Sequence, residues 1–380
     1  MPTIGRILTA VTRAARAASL AALVAVAGAG GALAADDVKV AINIPLTGPV
    51  ALFTLPYANG MVMGLEEGAA AAGLPADSFD VDSQDNAMET KTAAAIVQKH
   101  FLENIDVYVT GPSLVSKAVS TIVDQKEIPH FLLSFDSYLT SKNHFRLRIL
   151  PHYKIEGPLN AKYVLARKAK RVAILELRNS SIFEKFAVLV IPHLEKEGIE
   201  VMREAFEFRT RDYSTLALKA AQFKPDLIIV NGFSFHLYPI IKALRTLDMI
   251  DDGSVLAGMD YVDLLHNETP RNELKGVAFT TPVFELPDSA PAQAGAWIER
   301  YEERFNQPPS FVGAYGYDVG RIVALALKDA GEVTVESIRA QLPYAGVSGE
   351  IALDADGDLT STLGVGLVAE DGSIETLMLQ

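Results

Sequence analysis

Apolar and polar positions change period repeatedly along this chain. Short β-branched runs, the pattern of strands, stand at "VKVAINI" (38–44), "FDVDSQ" (79–84), "VYVTG" (107–111), "PHFLLS" (129–134), "RVAILEL" (171–177), "IEVMREAFEF" (199–208), "DLIIVNG" (226–232), "SVLAGMD" (254–260) and "VAFTTPVF" (277–284). Between them, apolar residues recur at helical spacing over 91–101, 116–125, 155–167, 185–197, 214–223 and 238–247, and the segment after "PLTGP" also has helical spacing. The alternation predicts an α/β fold with parallel sheets covered by helices on both faces. The last third changes character. A helix, a Pro-Pro loop and a long helix are followed by a stretch that reads as a hairpin, with turns at Asp356-Gly357 and Asp371-Gly372.

Open parallel sheets bind ligands beyond the carboxyl ends of their strands, so the chemistry is sought in the loops that follow strands. Four have suitable content: "PLTGP" after Ile44, "GPSLVS" (111–116), "SFDSYLTS" (134–141) and "GMDYVDLL" (258–265). The first is not a phosphate cradle, for it has neither Gly-x-Gly-x-x-Gly spacing nor a Gly-Lys-Ser/Thr ending. "DADGD" (354–358) is not a calcium loop: its Gly is fourth rather than sixth, and Val365 stands where the bidentate Glu belongs. The seven His are scattered without ligand spacing, so neither a metal nor a cofactor is expected.

A chain of 380 residues exceeds the usual size of one core and predicts two lobes. The first 34 residues carry Arg6, Arg13 and Arg16, an Ala/Leu/Val run and Ala32-Leu33-Ala34, the pattern of a secretory signal cut before Ala35. Its loss takes the formal charge from −13 to −16, which argues against nucleic acid and anionic lipid as partners. No cysteine is present, so disulfide partners, thiolate nucleophiles and Cys-ligated metals are excluded, as is N-terminal lipid attachment. An exported chain without an anchor fits a bacterial periplasm.

"VKVAINIPLTGPVALF", Gly111-Pro112 after a strand, "IPHFLLS", "FRLRILP", "YEERFNQPPSFVGAYGYDVGRIVALAL" and "GVSGEIALDADGD" follow one another in an order that resembles the periplasmic solute-binding proteins of the leucine/isoleucine/valine-binding type. The resemblance covers essentially the whole chain after the signal. It implies the type I fold: two doubly wound parallel-sheet lobes, joined by a three-segment hinge, with the ligand between them. The expected division is 35–152 with 283–345, and 153–282 with 346–380. The expected crossings lie near 151–157, 280–284 and 344–349.

Carried over residue by residue, the resemblance places Phe53 as a bulky apolar wall, Ser113 and Leu114 in the first clamp loop, and Ser134, Phe135, Asp136, Ser137 and Tyr138 in the second. Phe183, Phe233 and Ser234 come from the far lobe, with Asp260 receiving a ligand's ammonium group. Two departures stand out: Leu114 and Val115 occupy positions where serine is usual, and Asp136 one that is normally small and neutral. Asp260 has an alternative reading as a helix N-cap, and the aromatic positions as plain core. The implied function is a monomeric receptor for an amino-acid-like or aromatic solute, serving an ABC permease of the inner membrane. A periplasmic sensor for a membrane signalling partner and an exported hydrolase are the alternatives. No Gly-x-Ser-x-Gly elbow is present, and Asp136 with Asp260 would have to supply general acid–base geometry, so no catalytic residue is expected.

Overall fold

The computed structural model describes residues 37–379 except 137, 179 and 268. The signal read over 1–34 lies outside the described residues.

The first sheet is built by β1 (Val38–Ile44), α1 (Ala51–Ala72), β2 (Phe79–Asp85), α2 (Thr90–His100), β3 (Val107–Thr110), α3 (Ser113–Val123), β4 (His130–Leu132) and β5 (Arg146–Leu147). Its five strands are parallel, in the order β2-β1-β3-β4-β5. The period of two is visible in the packing. Val40, Ile42, Val107 and Val109 face the main core, whereas Ala41 and Tyr108 face Ala93, Val97 and Val119 of α2 and α3.

The second sheet takes its parallel half from the next stretch, α4 (Tyr153–Ala166), β6 (Arg171–Leu177), α5 (Ser180–Glu184), α6 (Ile191–Lys196), β7 (Glu200–Phe206), α7 (Ser214–Phe223), β8 (Leu227–Asn231), α8 (Ser234–Thr246), β9 (Val255–Ala257), α9 (Val262–His266) and β10 (Val277–Pro282). Helix was expected over 185–197; α5 and α6 in fact flank a π-helical turn at Lys185–Val190. The chain then adds α10 (Ala294–Phe305), α11 (Phe311–Ala330), α12 (Val335–Arg339), the hairpin β11 (Tyr344–Gly346) and β12 (Gly349–Ile351), and finally β13 (Leu363–Val368) and β14 (Ile374–Leu377). The seven strands run β14-β13-β10-β9-β8-β6-β7, with β13 and β14 antiparallel to their neighbours.

Helix α11 returns to the first lobe and lies along α1. Glycines line that contact from both sides: a Cβ at Gly60 would stand 2.0 Å from the carbonyl oxygen of Gly313, and one at Gly316 would stand 2.3 Å from that of Tyr57. Any side chain there forces the helices apart.

The final passage to the second sheet comes at 360–362, later than the 344–349 expected from the sequence. Tyr344–Ile351 closes on itself as a hairpin, and the segment behind it stays with the end of β5. Leu359 N–H donates to Arg148 O (3.0 Å), and Arg148 N–H donates to Gly357 O (2.8 Å). Side chains lock this junction. The buried Arg148 guanidinium donates to Asp358 Oδ1 from Nη2 (2.6 Å) and Nε (3.1 Å), and Lys154 Nζ reaches Asp358 Oδ2 (2.9 Å).

Candidate functional site

The carboxyl ends of both sheets face a small cavity of about 30 Å³. The first lobe lines it with Met88 after β2, Pro112, Ser113 and Leu114 at the start of α3, and Phe135 after β4. The second contributes Tyr153 at the start of α4, Leu177, Ser181 and Ile182 around the end of β6, Gly232 and Phe233 after β8, and Asp260 after β9. The rule that strand-end loops carry the site therefore holds at seven strands.

On the first wall the local chain explains the shape. Gly111 has no room for a side chain, since a Cβ would lie 2.7 Å from Leu133 Cβ, and this brings Pro112 and Ser113 against the sheet end. Ser113 Oγ accepts from Ser134 Oγ (3.0 Å) and from Phe135 N–H (3.1 Å), joining the two clamp loops. Its own hydroxyl proton is then left to point elsewhere. Phe135 is held by ring contacts with Phe53 at 5.3 Å and Tyr153 at 5.6 Å, the latter stacked at 26°. No side chain caps α3, so its first-turn N–H groups open toward Ser113 and Leu114.

The second wall carries charge. Asp260 is 8 % exposed, and its Oδ1 has no partner. It caps neither neighbouring helical turn: the turn at Met259–Tyr261 starts from Gly258 and α9 from Tyr261, both without a side-chain cap bond. Burial and then the Glu156 carboxylate push Asp260 up to about 7, against a backbone hydrogen bond and Lys185. Behind it, Lys185 Nζ donates to Glu156 Oε2 at 2.7 Å and Thr280 Oγ1 donates to Glu156 Oε1 at 2.6 Å, all three residues being fully buried. The Lys185 ammonium lies 5.0 Å from the ring centre of Tyr153, on the residue that meets the cavity. Glu176 adds a buried carboxylate held by Arg203 at 2.5 Å. Asp263, also buried, is driven well above the ordinary carboxylate range by burial and by Asp260.

Of the residues expected from the sequence, Ser113, Leu114, Phe135, Phe233 and Asp260 meet at this cavity. Phe53 stands one layer behind, 2 % exposed under Phe135, and the loop after Ile44 supplies no lining residue. Ser134 is buried behind Ser113, and Ser234 lies under Phe233 with its hydroxyl toward Asp263. Asp136 sits beside the cavity with its carboxylate engaged by Ser181 and by Tyr138 N–H. Tyr138 turns to Lys154, and Phe183, 58 % exposed, turns outward under Arg203. Ser137 lies outside the described residues. Sequence reading missed Met88, Pro112, Tyr153, Leu177, Ser181, Ile182 and Gly232. Among the described residues, no group of three His, Asp or Glu side chains is placed to hold a metal ion, and no helix is long and apolar enough to cross a membrane.

Comparison with known proteins agrees with this architecture. The leucine-, isoleucine-, valine-, threonine- and alanine-binding protein of Pseudomonas aeruginosa is 23% identical over 86% of this chain and 88% of its own. With the Leu/Ile/Val/Thr-binding protein of Salmonella typhimurium, 27% identity extends over 56% of this chain and 59% of that one. The fold superposes on the crystal structure of a leucine-binding protein of Thermotoga maritima with a TM-score of 0.78 at 23% identity, covering 90% of this chain and 98% of that one. A solute-binding protein of an ABC transporter from Rhodopseudomonas palustris BisB5, in complex with 3,4-dihydroxybenzoic acid, gives 0.79 at 19% identity, covering 90% and 96%. A family model, described as periplasmic binding protein, matches residues 37–372. The chain therefore belongs to the periplasmic binding protein family, on the type I branch that includes the leucine/isoleucine/valine-binding receptors.

Proposed function

We propose that the protein is a periplasmic solute receptor, which takes an amino-bearing small molecule with an apolar body between its lobes and delivers it to an ABC permease of the inner membrane. The observation that carries this is Asp260, a buried carboxyl facing the cavity with one oxygen unpartnered. A buried carboxylate is costly until a cation or several donors meet it, and a ligand ammonium supplies both charge and donors. Phe135, Tyr153, Phe233, Ile182 and Leu177 supply apolar surface for the body, and the Ser113 hydroxyl with the α3 N-terminus suits an anionic end. The relatives named for leucine, isoleucine and valine support an amino acid. The aromatic rings, together with the neighbour holding 3,4-dihydroxybenzoic acid, support an aromatic acid as the second reading. The protein carries its solute unchanged, and in this reading 344–359 belongs with the first lobe, since Val347 N–H donates to Asp318 and Leu359 N–H to Arg148 O.

Mass spectrometry of the small molecule released from the purified protein by mild unfolding identifies the solute directly. Calorimetry with L-leucine, L-isoleucine, L-phenylalanine and 3,4-dihydroxybenzoate then ranks the classes. The reading requires an amine-bearing solute to bind more tightly than dihydroxybenzoate, and the reverse order overturns it. At 100-fold excess over Kd the bound solute raises stability by about 2.7 kcal/mol, and X-ray scattering shows a smaller radius of gyration. Turnover of any glycoside or ester in a screening panel would return the hydrolase.

A further inference from the structure

Asp136 and Ser181 stand on opposite lobes, the first in the loop after β4 and the second in α5. The Ser181 hydroxyl donates to Asp136 Oδ2 at 3.1 Å, a charge-assisted bond between the lobes at the edge of the cavity. Ser181 lines the cavity; Asp136, 7 % exposed, does not.

The carboxylate is aimed from its own lobe. Its Oδ1 accepts Tyr138 N–H (3.2 Å), its backbone N–H donates to Ser134 Oγ (3.2 Å), and its carbonyl oxygen accepts from Arg148 Nη1. Arg148 is the residue that pairs with Asp358 at the junction between lobes, so the loop bearing Asp136 is braced by the hinge itself. Lys117 Nζ stands 4.0 Å from Oδ2 on the exposed side. Next to this pair the Tyr153 N–H donates to Phe135 O at 3.3 Å, another direct contact across the lobes. All of these groups belong to the protein, so none of these bonds waits for a solute.

We infer that Asp136 is an affinity-determining positioning residue that acts through Ser181: their hydrogen bond holds the lobes closed over the solute and lengthens its stay without touching it. This rests on the reading of the protein as a receptor that closes. The bond exists only in the closed form, so losing it moves the open–closed equilibrium toward open and weakens apparent affinity by the same factor. The change falls on dissociation rather than association, because the solute meets an open cleft either way. The usual worth of a hydrogen bond to a charged group makes the factor about ten or more.

The chain has no cysteine, so Leu102→Cys and Leu218→Cys, at exposed positions on the first and second lobes, take a spin-label pair in the full chain without other changes. Pulsed-resonance distances are read in the protein stripped of solute and then with L-leucine or 3,4-dihydroxybenzoate. In the stripped protein a short-distance population is expected, falling about tenfold in Ser181→Ala and in Asp136→Ala and falling no further in the double variant. Ser181→Thr, which keeps the hydroxyl, retains it. With whichever probe binds, dissociation from Ser181→Ala is about tenfold faster at unchanged association rate. A stripped wild-type distribution that Ser181→Ala leaves unmoved overturns the inference. So does a probe that closes wild type and Ser181→Ala alike with equal dissociation rates, although the receptor reading survives that result. If neither probe shortens the distance in wild type but Ser181→Ala still lengthens it in the stripped protein, the latch stands and the receptor reading loses its support.

Discussion

On the first-lobe wall the polar groups answer one another: Ser134 and Phe135 N–H meet Ser113 Oγ, and Ser181 and Tyr138 N–H meet the Asp136 carboxylate. On the second-lobe wall Asp260 keeps an unmatched oxygen, backed by the buried Glu156, Lys185, Glu176 and Asp263. The first wall joins hydroxyls, N–H groups and rings to the paired Asp136 carboxylate. The second keeps a buried carboxyl oxygen without a matching donor, which suits the cation of the proposed solute. That solute would be met by charge on one side and by shape on the other.

The contrast breaks most visibly at Lys185. Lys185→Met removes the cation partner of the Glu156 carboxylate and leaves that group buried; a loss of about 3–5 kcal/mol is expected in urea unfolding. Pairing it with Glu156→Gln restores much of that loss. A cost below about 1 kcal/mol for Lys185→Met would mean that the second wall is not organised by charge.

Asp260→Asn comes next, and its sign depends on pH. The folded protein holds this carboxyl at about 7, above its ordinary 3.8, so at pH 3 folded and unfolded chains both keep most of the proton. As pH rises from 3 to 7 the unfolded chain ionises first and wild-type stability falls, levelling above 7. Asn escapes this penalty. Thermal denaturation should find the variant more stable than wild type at pH 8, by up to about 4 kcal/mol, and nearly equal at pH 3. Binding of an amine-bearing solute falls at the same time by roughly 1.5–3 kcal/mol. As a helix N-cap, the alternative read from the sequence, Asp260 could be replaced by Asn with almost no effect on folding; its burial and unmatched oxygen change that.

Smaller effects sharpen the first wall. Ser113→Ala deprives Ser134 and Phe135 N–H of their acceptor and is expected to lower stability by about 1–2 kcal/mol, with little dependence on pH between 5 and 8. Phe183→Ala is expected to change stability by less than about 0.5 kcal/mol, since its ring is mostly in solvent, and affinity by less than twofold in calorimetry. A larger loss of affinity would move the cleft wall out to α5's exposed face.

How much of this could be read beforehand follows the physics of each signal. The strand runs at 38–44, 171–177 and 226–232 were legible because a strand buried on both faces is apolar throughout, and β1, β6 and β8 lie where those runs end. The strand-end loops marked the regions, and the resemblance to the leucine/isoleucine/valine-binding type picked out Ser113, Leu114, Phe135, Phe233 and Asp260 within them. Tyr153 was missed because β5, two residues long, is too short to show alternation, so the helix start behind it had no strand to mark it. On α5 the outward Phe183 was chosen over Ser181 and Ile182. Each helical step turns a side chain by about 100°, so an error of one or two residues exchanges inside for outside. Nothing in the local sequence sets Lys185 and Glu156 apart from solvated charges. The available hint was a charge in the apolar phase of a helix, which becomes visible only once the phase is known.

The glycine-lined contact between α1 and α11 bears on the order in which the molecule is made. The first sheet is synthesised by residue 147, but α1 finds the surface it is shaped for only when 311–330 have appeared. The second sheet likewise waits for 363–377 to cover β10. Synthesis of the first three-quarters therefore yields the parallel strands of two sheets and no finished half. A truncation after residue 310 is expected to leave neither lobe able to mature alone.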